Sequence, residues 1–145
     1  MTLRSLSYFL EHARPKDVLE VELTSGKPFV DFSVSELKDT DALIDTDTGE
    51  VYCIGGVVVE GYKYPVVWLL CTTCVEKYPV RFLRFIRKYL AEKLKEHEIL
   101  WNIVWLGNDL HVKWLKKWCH ARFQDKVTIK NNPFQIFSIG KEVKL

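Results

Sequence analysis

The segment Leu100–Phe123 constrains the fold of this chain more than any other stretch of the sequence. It begins with a largely apolar run, Leu100–Leu106, passes through Gly107-Asn108 and continues as a helical pattern. Such a run is typical of a buried strand, and a glycine followed by an asparagine supplies a flexible turn and a helix cap. The segment therefore predicts a strand, a tight polar turn and an amphipathic helix, an arrangement that supports a site at the strand's end.

The residue pattern of the N-terminal part of the chain predicts one short strand, two short helices and a loop. Met1–Arg4 is predicted to be an edge strand, followed by a helix that ends before Arg14-Pro15 and by a second helix from Asp17 to about Gly26. Lys27–Lys38 is predicted to be a loop. The residues predicted to be buried are Leu6, Phe9 and Leu10 in the first helix, and Val18, Leu19 and Val21 in the second.

The rest of the chain predicts a mixed sheet flanked by helices. The full order is β-α-α-β-β-β-α-β-α-β-β, which gives an α+β (α/β) fold with a mostly antiparallel central sheet. The elements expected are strands Ala42–Ile44 and Val51–Val59 joined at Asp47-Thr48-Gly49, with Gly55-Gly56 interrupting the second; strand Val66–Cys71; a long helix opened by Pro79; strand Ile99–Leu106; helix Asp109–Phe123; and a hairpin turning at Asn131-Asn132-Pro133.

Length and charge restrict the class of protein. The 145 residues predict one domain, 1–145, and no apolar run reaches the ~18 residues needed to cross a membrane. Without a signal-peptide pattern, the four cysteines are expected to be reduced thiols of a cytoplasmic protein. Residues 1–60 carry a net charge of −7 and residues 61–145 carry +9, so the two halves either attract each other or favour an acidic partner.

The predicted element order resembles the GNAT (GCN5-related N-acetyltransferase) fold. A more specific likeness is carried by the sequence around Leu100-Trp101-Asn102, Gly107-Asn108 and His111, and by Phe134–Ile139. These residues, with Met1-Thr2-Leu3-Arg4, resemble the gene-13 product family of short-tailed coliphages. The resemblance implies a virion-assembly or internal virion protein in the host cytoplasm or the virion, and fold alone does not fix its function.

The GNAT resemblance implies a place for coenzyme A, where a glycine-rich loop and a helix N-terminus hold the pyrophosphate. The corresponding segment, Thr72–Arg81, contains no glycine, and its Pro79 removes an amide donor. Glu76 would repel phosphates, whereas Lys77 and Arg81 could hold them as point charges. Lys77 and Arg81 are therefore the candidate binding residues for acetyl-coenzyme A, should the protein be an enzyme.

The same resemblance identifies candidate catalytic residues in the helix after Gly107. Active members often carry Asn-x-x-Ala-x-x-x-Tyr, in which the tyrosine protonates the departing thiolate. Asn108 matches the asparagine, His111 replaces the small residue, and Leu115 stands where the tyrosine would be. Asn108 and His111 are the candidate catalytic residues, with His111 either transferring protons or packed and inert, and Asn108 also expected to cap the helix.

Two further patterns have structural alternatives. Cys71 and Cys74 have the spacing of zinc ligands, and Cys119-His120 could add two more, but buried cysteines are common and no metal is expected. In the helix from Asp109, basic residues alternate with Trp114 and Trp118 as in nucleic-acid-binding surfaces, or form the solvated back of a core stripe. That stripe would comprise Val112, Leu115 and Cys119, and the basic residues are Lys113, Lys116, Lys117 and Arg122.

Three functions remain open from the sequence. The first is a phage accessory protein with a degenerate GNAT fold that binds a phage or host protein during virion assembly. The second is an N-acetyltransferase with a rebuilt site, and the third is nucleic-acid binding through the basic C-terminal half.

Overall fold

The computed structural model describes residues 2–26 and 40–142, and the predicted loop Lys27–Lys38 lies outside them. The described helices are α1 (Leu3–His12), α2 (Pro15–Ser25), α3 (Cys74–Lys77), α4 (Pro79–His97) and α5 (Asp109–Lys117). The described strands are β1 (Asp41–Ile44), β2 (Val51–Val58), β3 (Val66–Cys71), β4 (Ile99–Trp105), β5 (Arg122–Ile129) and β6 (Asn132–Gly140).

The strands are hydrogen-bonded in the order β1-β2-β3-β4-β6-β5. The pairs β1–β2, β4–β6 and β5–β6 are antiparallel, and β3–β4 is parallel. The predicted α+β class, with a mixed and mostly antiparallel sheet flanked by helices, is confirmed.

The chain divides into two compact units, Met1–Gly56 with Leu69–Phe82, and Val57–Trp68 with Leu83–Leu145. In the first unit, the core is built from α1, β2 and the segment around α3, and its fully buried side chains include Phe9, Ile54, Val75 and Phe82. In the second, Leu100 and Val104 of β4 and Phe134 and Phe137 of β6 are buried. The expectation of one domain stays a prediction.

The predicted edge strand at Met1–Arg4 is wrong, because its described part opens a helix. Thr2 is the N-cap of α1: its hydroxyl accepts the Ser5 backbone N–H at 3.1 Å, and the Ser5 hydroxyl oxygen accepts the Thr2 N–H at 3.0 Å. This capping box satisfies two donors that an isolated helix end would leave open. Leu6 and Phe9 are buried as predicted, but Leu10 is exposed.

The predicted apolar face of α2 is also wrong. The helix begins at Pro15 and ends at Gly26, which adopts a left-handed φ of +76°, yet its one buried residue is Asp17. Leu19 is exposed, and Val18 and Val21 are only half-buried. A charged residue takes the buried position because Asp17 has partners there, as described below.

The strand predicted at Val51–Val59 is present as β2, and the long helix is present as α4. The interruption predicted at Gly55-Gly56 is wrong, since β2 continues to Val58 and Gly55 pairs with Asp41 of β1. The helix opened by Pro79 extends to His97.

The helix predicted at Asp109–Phe123 ends earlier, at Lys117. The backbone N–H groups of Trp118 and Cys119 both donate to the Trp114 carbonyl, and His120 has a left-handed φ of +53°. A left-handed residue after the last turn terminates a helix. The chain therefore turns, and Arg122 and Phe123 begin β5 instead of extending α5.

The final hairpin turns at Lys130-Asn131 rather than at Asn131-Asn132-Pro133. Lys130 and Asn131 have φ values of +49° and +64°, as a two-residue type I′ turn requires, and Asn132 and Pro133 belong to β6.

Candidate functional site

The first unit contains the segment that would face a coenzyme pyrophosphate, from the end of β3 through α3 to Pro79. Its backbone N–H groups donate to acceptors within the chain. The donor–acceptor pairs are Cys71 to Asp17 Oδ2, Thr72 to the Tyr52 carbonyl, Thr73 to the His12 carbonyl, Cys74 to Thr72 Oγ1, Val75 to the Thr72 carbonyl, Glu76 to the Thr73 carbonyl and Tyr78 to the Cys74 carbonyl, at 2.7–3.3 Å. These amides are occupied within the chain and Pro79 has none, so a phosphate that approached them would compete with the acceptors that they already have.

Asp17 explains why β3 ends in this closed arrangement. Its side chain is 1% exposed, and its Oδ1 lies 2.5 Å from Arg14 Nη1 while its Oδ2 accepts the Cys71 N–H at 2.7 Å. Arg14 is buried as well, and its Nε donates to Glu76 Oε1 at 2.8 Å. Glu76, predicted to repel phosphates, is therefore paired with a cation of its own chain.

The two candidate coenzyme-binding cations lie at the junction of α3 and α4. Lys77 is the last residue of α3 and is exposed. Arg81 is in the first turn of α4, and its side chain is 65% exposed. Its Nη1 contacts Asp45 Oδ2 at 3.1 Å, and its guanidinium lies 5.8 Å from the centre of the Tyr52 ring. Arg81 is thus already held by an aspartate and an aromatic face.

The electrostatics of Asp45 are consistent with this pairing. The backbone amides of its own turn, and then Arg81, lower the pKa of the Asp45 carboxyl below its ordinary value. The carboxylate is therefore ionised at neutral pH and competes with any external anion for Arg81.

A second cluster in the first unit was not foreseen from the sequence. Tyr8 Oη lies 3.0 Å from Cys74 Sγ, and that thiol donates to Glu50 Oε2 at 3.4 Å. Burial, followed by the contact with Cys74, raises the pKa of the Tyr8 hydroxyl. Since Tyr8 and Cys74 are 66 residues apart in the chain, no local pattern could have predicted their contact.

Two thiols of this unit, those of Cys53 and Cys71, lie in surroundings that favour their protonated form. Burial raises the pKa of Cys53 to about 12 and that of Cys71 well above its ordinary value. Because zinc is bound by the thiolate, Cys71 would have to lose its proton in order to become a zinc ligand.

The second unit contains both candidate catalytic residues in the first turn of α5. Asn108 is the N-cap and is fully buried: its N–H donates to the Trp105 carbonyl, and its carbonyl accepts the Val112 N–H. Its side chain makes no capping hydrogen bond to that turn, so the expected cap is present in position only. His111 is 8% exposed, with its ring stacked on Trp114 at 5.5 Å between centroids.

The predicted core stripe of α5 is displaced by one residue. His111 and Trp114 are the buried residues of the helix, whereas Val112, Leu115 and Cys119 are half-buried. The aromatic stack explains the difference, since two flat rings one turn apart fill the interior position together.

The end of α5 carries an exposed indole beside basic residues. Trp118 is 41% exposed, and Lys113, Lys116 and Lys117 are exposed as well. Lys116 Nζ lies 5.3 Å from the centre of the Phe123 ring. An exposed tryptophan is a candidate contact residue for a protein partner, so Trp118 is such a candidate and the buried Trp114 is not.

The fold is similar to that of a GNAT-family protein. A solved structure titled "Putative GnaT-family acetyltransferase from Bordetella pertussis" is similar to this chain with a TM-score of 0.56 and 10% sequence identity, and the match covers 74% of this chain and 70% of that one. At this identity the likeness shows the fold alone.

The chain belongs to the family described as "Bacteriophage T7, probable scaffold protein Gp13", whose model matches residues 42–128. A relative from Escherichia phage T7, "Probable scaffold protein gp13", is 36% identical over 61 residues. That match covers 42% of this chain and 43% of the relative's length. The matched family confirms the resemblance found in the sequence, and its range includes Leu100–Phe123.

Within residues 2–26 and 40–142, no helix is long and apolar enough to span a membrane.

Proposed function

We propose that this protein acts by binding another phage or host protein during virion assembly, and that it does not transfer acyl groups. The observation that carries the proposal is the closed segment after β3, where the backbone amides of residues 71–76 and of Tyr78 donate to the chain's own atoms. A coenzyme pyrophosphate bound there would have to displace these hydrogen bonds, each of which stabilises the fold.

The second unit supports the same proposal. Leu115 replaces the tyrosine that protonates the thiolate in active relatives of the fold. His111, the candidate substitute, is buried against Trp114. A general acid must reach the group that it protonates, and a stacked, buried ring is suited to packing instead.

Exposed apolar side chains supply contact area for a protein partner. Tyr78 and Val80 at the junction of α3 and α4, and Trp118 at the end of α5, are exposed to solvent. Tyrosine and tryptophan are enriched among the residues that contribute most to protein–protein binding. The scaffold description of the matched family is consistent with such contacts.

Complementation of the phage that carries this gene tests the proposal. One allele combines Lys77→Gln with Arg81→Gln, and a second carries His111→Gln, so the candidate coenzyme and proton-transfer groups are removed separately. Because neither role is used in the proposed function, both alleles should yield infectious particles at about the level of the parent.

A nonsense codon at Trp101 sets the yield without the protein, and immunoblots establish that each variant accumulates normally. A fall to the nonsense level with normal accumulation, for either allele, would contradict the proposal and favour the acetyltransferase alternative.

A further inference from the structure

Strand β5 is the last strand of the sheet order and has one edge without a neighbouring strand. It pairs with β6 on one side, and no strand within the described residues pairs with its other side. A strand edge of this kind presents backbone N–H and C=O groups that can pair with an added strand.

The hairpin register identifies which backbone groups point outward. The two-residue turn at Lys130-Asn131 places Ile129 opposite Asn132 as a hydrogen-bonded pair, so the next pair, Thr128 and Pro133, is of the non-hydrogen-bonded type. The Pro133 carbonyl accordingly points away from β5 and accepts the Leu106 N–H at 3.0 Å. By the same alternation, the N–H and C=O groups of Thr128 and Lys126 point to the outer edge.

A bulge limits how much of this edge can pair. The register shifts between Phe123 and Lys126, and the Gln135 side-chain amide donates to the carbonyls of Gln124 and Asp125 across the shift. A bulge disrupts regular pairing and the turn begins at Lys130, so the regular edge is confined to residues 126–129.

The side chains of residues 126–130 alternate in exposure. Lys126, Thr128 and Lys130 are exposed, whereas Val127 and Ile129 on the opposite face are half-buried. A strand added along residues 126–129 would place alternate side chains beside Lys126 and Thr128, next to Lys130 in the turn, and the others beside Val127 and Ile129.

The chain segment that contains this edge is positively charged. Residues 109–130 contain six Lys or Arg and two Asp, for a net charge of +4. Lysines on an edge strand repel most added strands, which protects against aggregation, but they favour a strand that carries acidic residues at the facing positions. The charge therefore selects among partners.

We infer that the outer edge of β5, at residues 126–129, binds an extended segment of a partner protein in which acidic and apolar residues alternate. This inference rests on the proposed function and names the partner's chemistry. A nucleic acid would satisfy the lysines but cannot pair with the outward N–H and C=O groups of Lys126 and Thr128 as a strand does.

Binding of a synthetic probe tests the inference. The probe is a fluorescent, acetylated seven-residue peptide in which Glu alternates with Val, titrated with the full chain and followed by fluorescence anisotropy. We expect saturable binding, and an affinity at least about tenfold lower for the matching Lys-Val peptide and for a Glu-Val peptide N-methylated at alternate amides.

Two variants locate the binding. Thr128→Pro removes an outward N–H that the β5–β6 ladder does not use, so the hairpin is retained and the Glu-Val peptide should bind about tenfold more weakly, whereas Thr128→Val keeps the N–H and should bind normally. Lys126→Glu should reverse the preference toward the Lys-Val peptide. Circular dichroism establishes that each variant is folded.

The inference would be overturned if the Glu-Val peptide did not bind, or if the N-methylated peptide bound equally well. It would also be overturned if a single-stranded oligonucleotide bound more tightly, displaced the peptide, and bound Thr128→Pro as well as it bound the parent. Self-association of the chain through this edge, lost in Thr128→Pro while the peptide fails to bind, would also overturn it. Any of these results would still allow the protein to bind its partner through another surface, so the proposed function would survive. Failure of the His111 allele or of the Lys77/Arg81 allele in the complementation test would instead refute the proposed function and would not test the edge of β5.

Discussion

Replacing Asp17 with asparagine should destabilise the protein far more than its position on a short surface helix suggests. The carboxylate is 1% exposed and neutralises Arg14, which is itself buried, at 2.5 Å. Asparagine has the same shape, and its carbonyl oxygen can still accept the Cys71 N–H, so Asp17→Asn removes mainly the charge. Breaking a buried ion pair by removing one partner costs ~3–5 kcal/mol. Because Glu76 still contacts Arg14, we expect the lower end, about 3 kcal/mol.

Urea unfolding followed by circular dichroism measures this loss, with Glu76→Gln as the matched control. Glu76 contacts the same arginine, but its side chain is 52% exposed, so its removal should cost under about 1 kcal/mol. If Asp17→Asn costs no more than Glu76→Gln, the reasoning that Asp17 fixes the end of β3 is refuted.

Three smaller predictions concern thiols, glycines and acid stability. Cys119 is half-buried, and burial raises its pKa to about 11, so it should react with iodoacetamide before the buried Cys53; mass spectrometry after timed labelling measures the order. The pKa of Cys53 is raised to about 12 in the folded protein. The stability that Cys53 contributes is therefore present below its unfolded pKa and is lost as the pH rises toward 12. Gly140→Ala should cost more stability than Gly49→Ala: both have left-handed φ, but the added Cβ at Gly140 would lie 2.4 Å from a backbone carbonyl oxygen while that at Gly49 meets open space, and thermal unfolding of the two variants compares them. Backbone amides lower the pKa of Asp45, so its contribution to stability is present above its unfolded pKa and is lost as the pH falls through the lower, folded value. On acid titration, the free energy of unfolding of Asp45→Asn should therefore fall less than that of the parent.

Strong hydrophobic periodicity made much of the fold predictable. β3, β4 and the helix opened by Pro79 follow from apolar runs and a proline at a position where its missing N–H costs little. The start of α1 was missed although Thr2 and Ser5 have capping-box spacing, because the apolar Leu3 suggested a strand. The end of α5 was missed because its signal is a single left-handed residue, His120, that is not a glycine.

The candidate site was less predictable than the fold. The absence of glycine between Thr72 and Arg81 indicated a changed segment, but the residue that completes its closure, Asp17, lies on another helix far away in the sequence. Contacts between residues distant in sequence, such as Arg14 with Glu76, leave no periodic pattern. The roles of Lys77, Arg81, Asn108 and His111 stay predictions.

Calorimetric titration of the full chain with acetyl-coenzyme A tests the central claim most directly. With the amides after β3 occupied and Arg81 paired with Asp45, we predict no saturable heat up to about 1 mM ligand, equivalent to binding weaker than ~4 kcal/mol. One-to-one binding at micromolar concentrations, abolished by Arg81→Glu in a folded variant, would contradict the claim and establish a working coenzyme site.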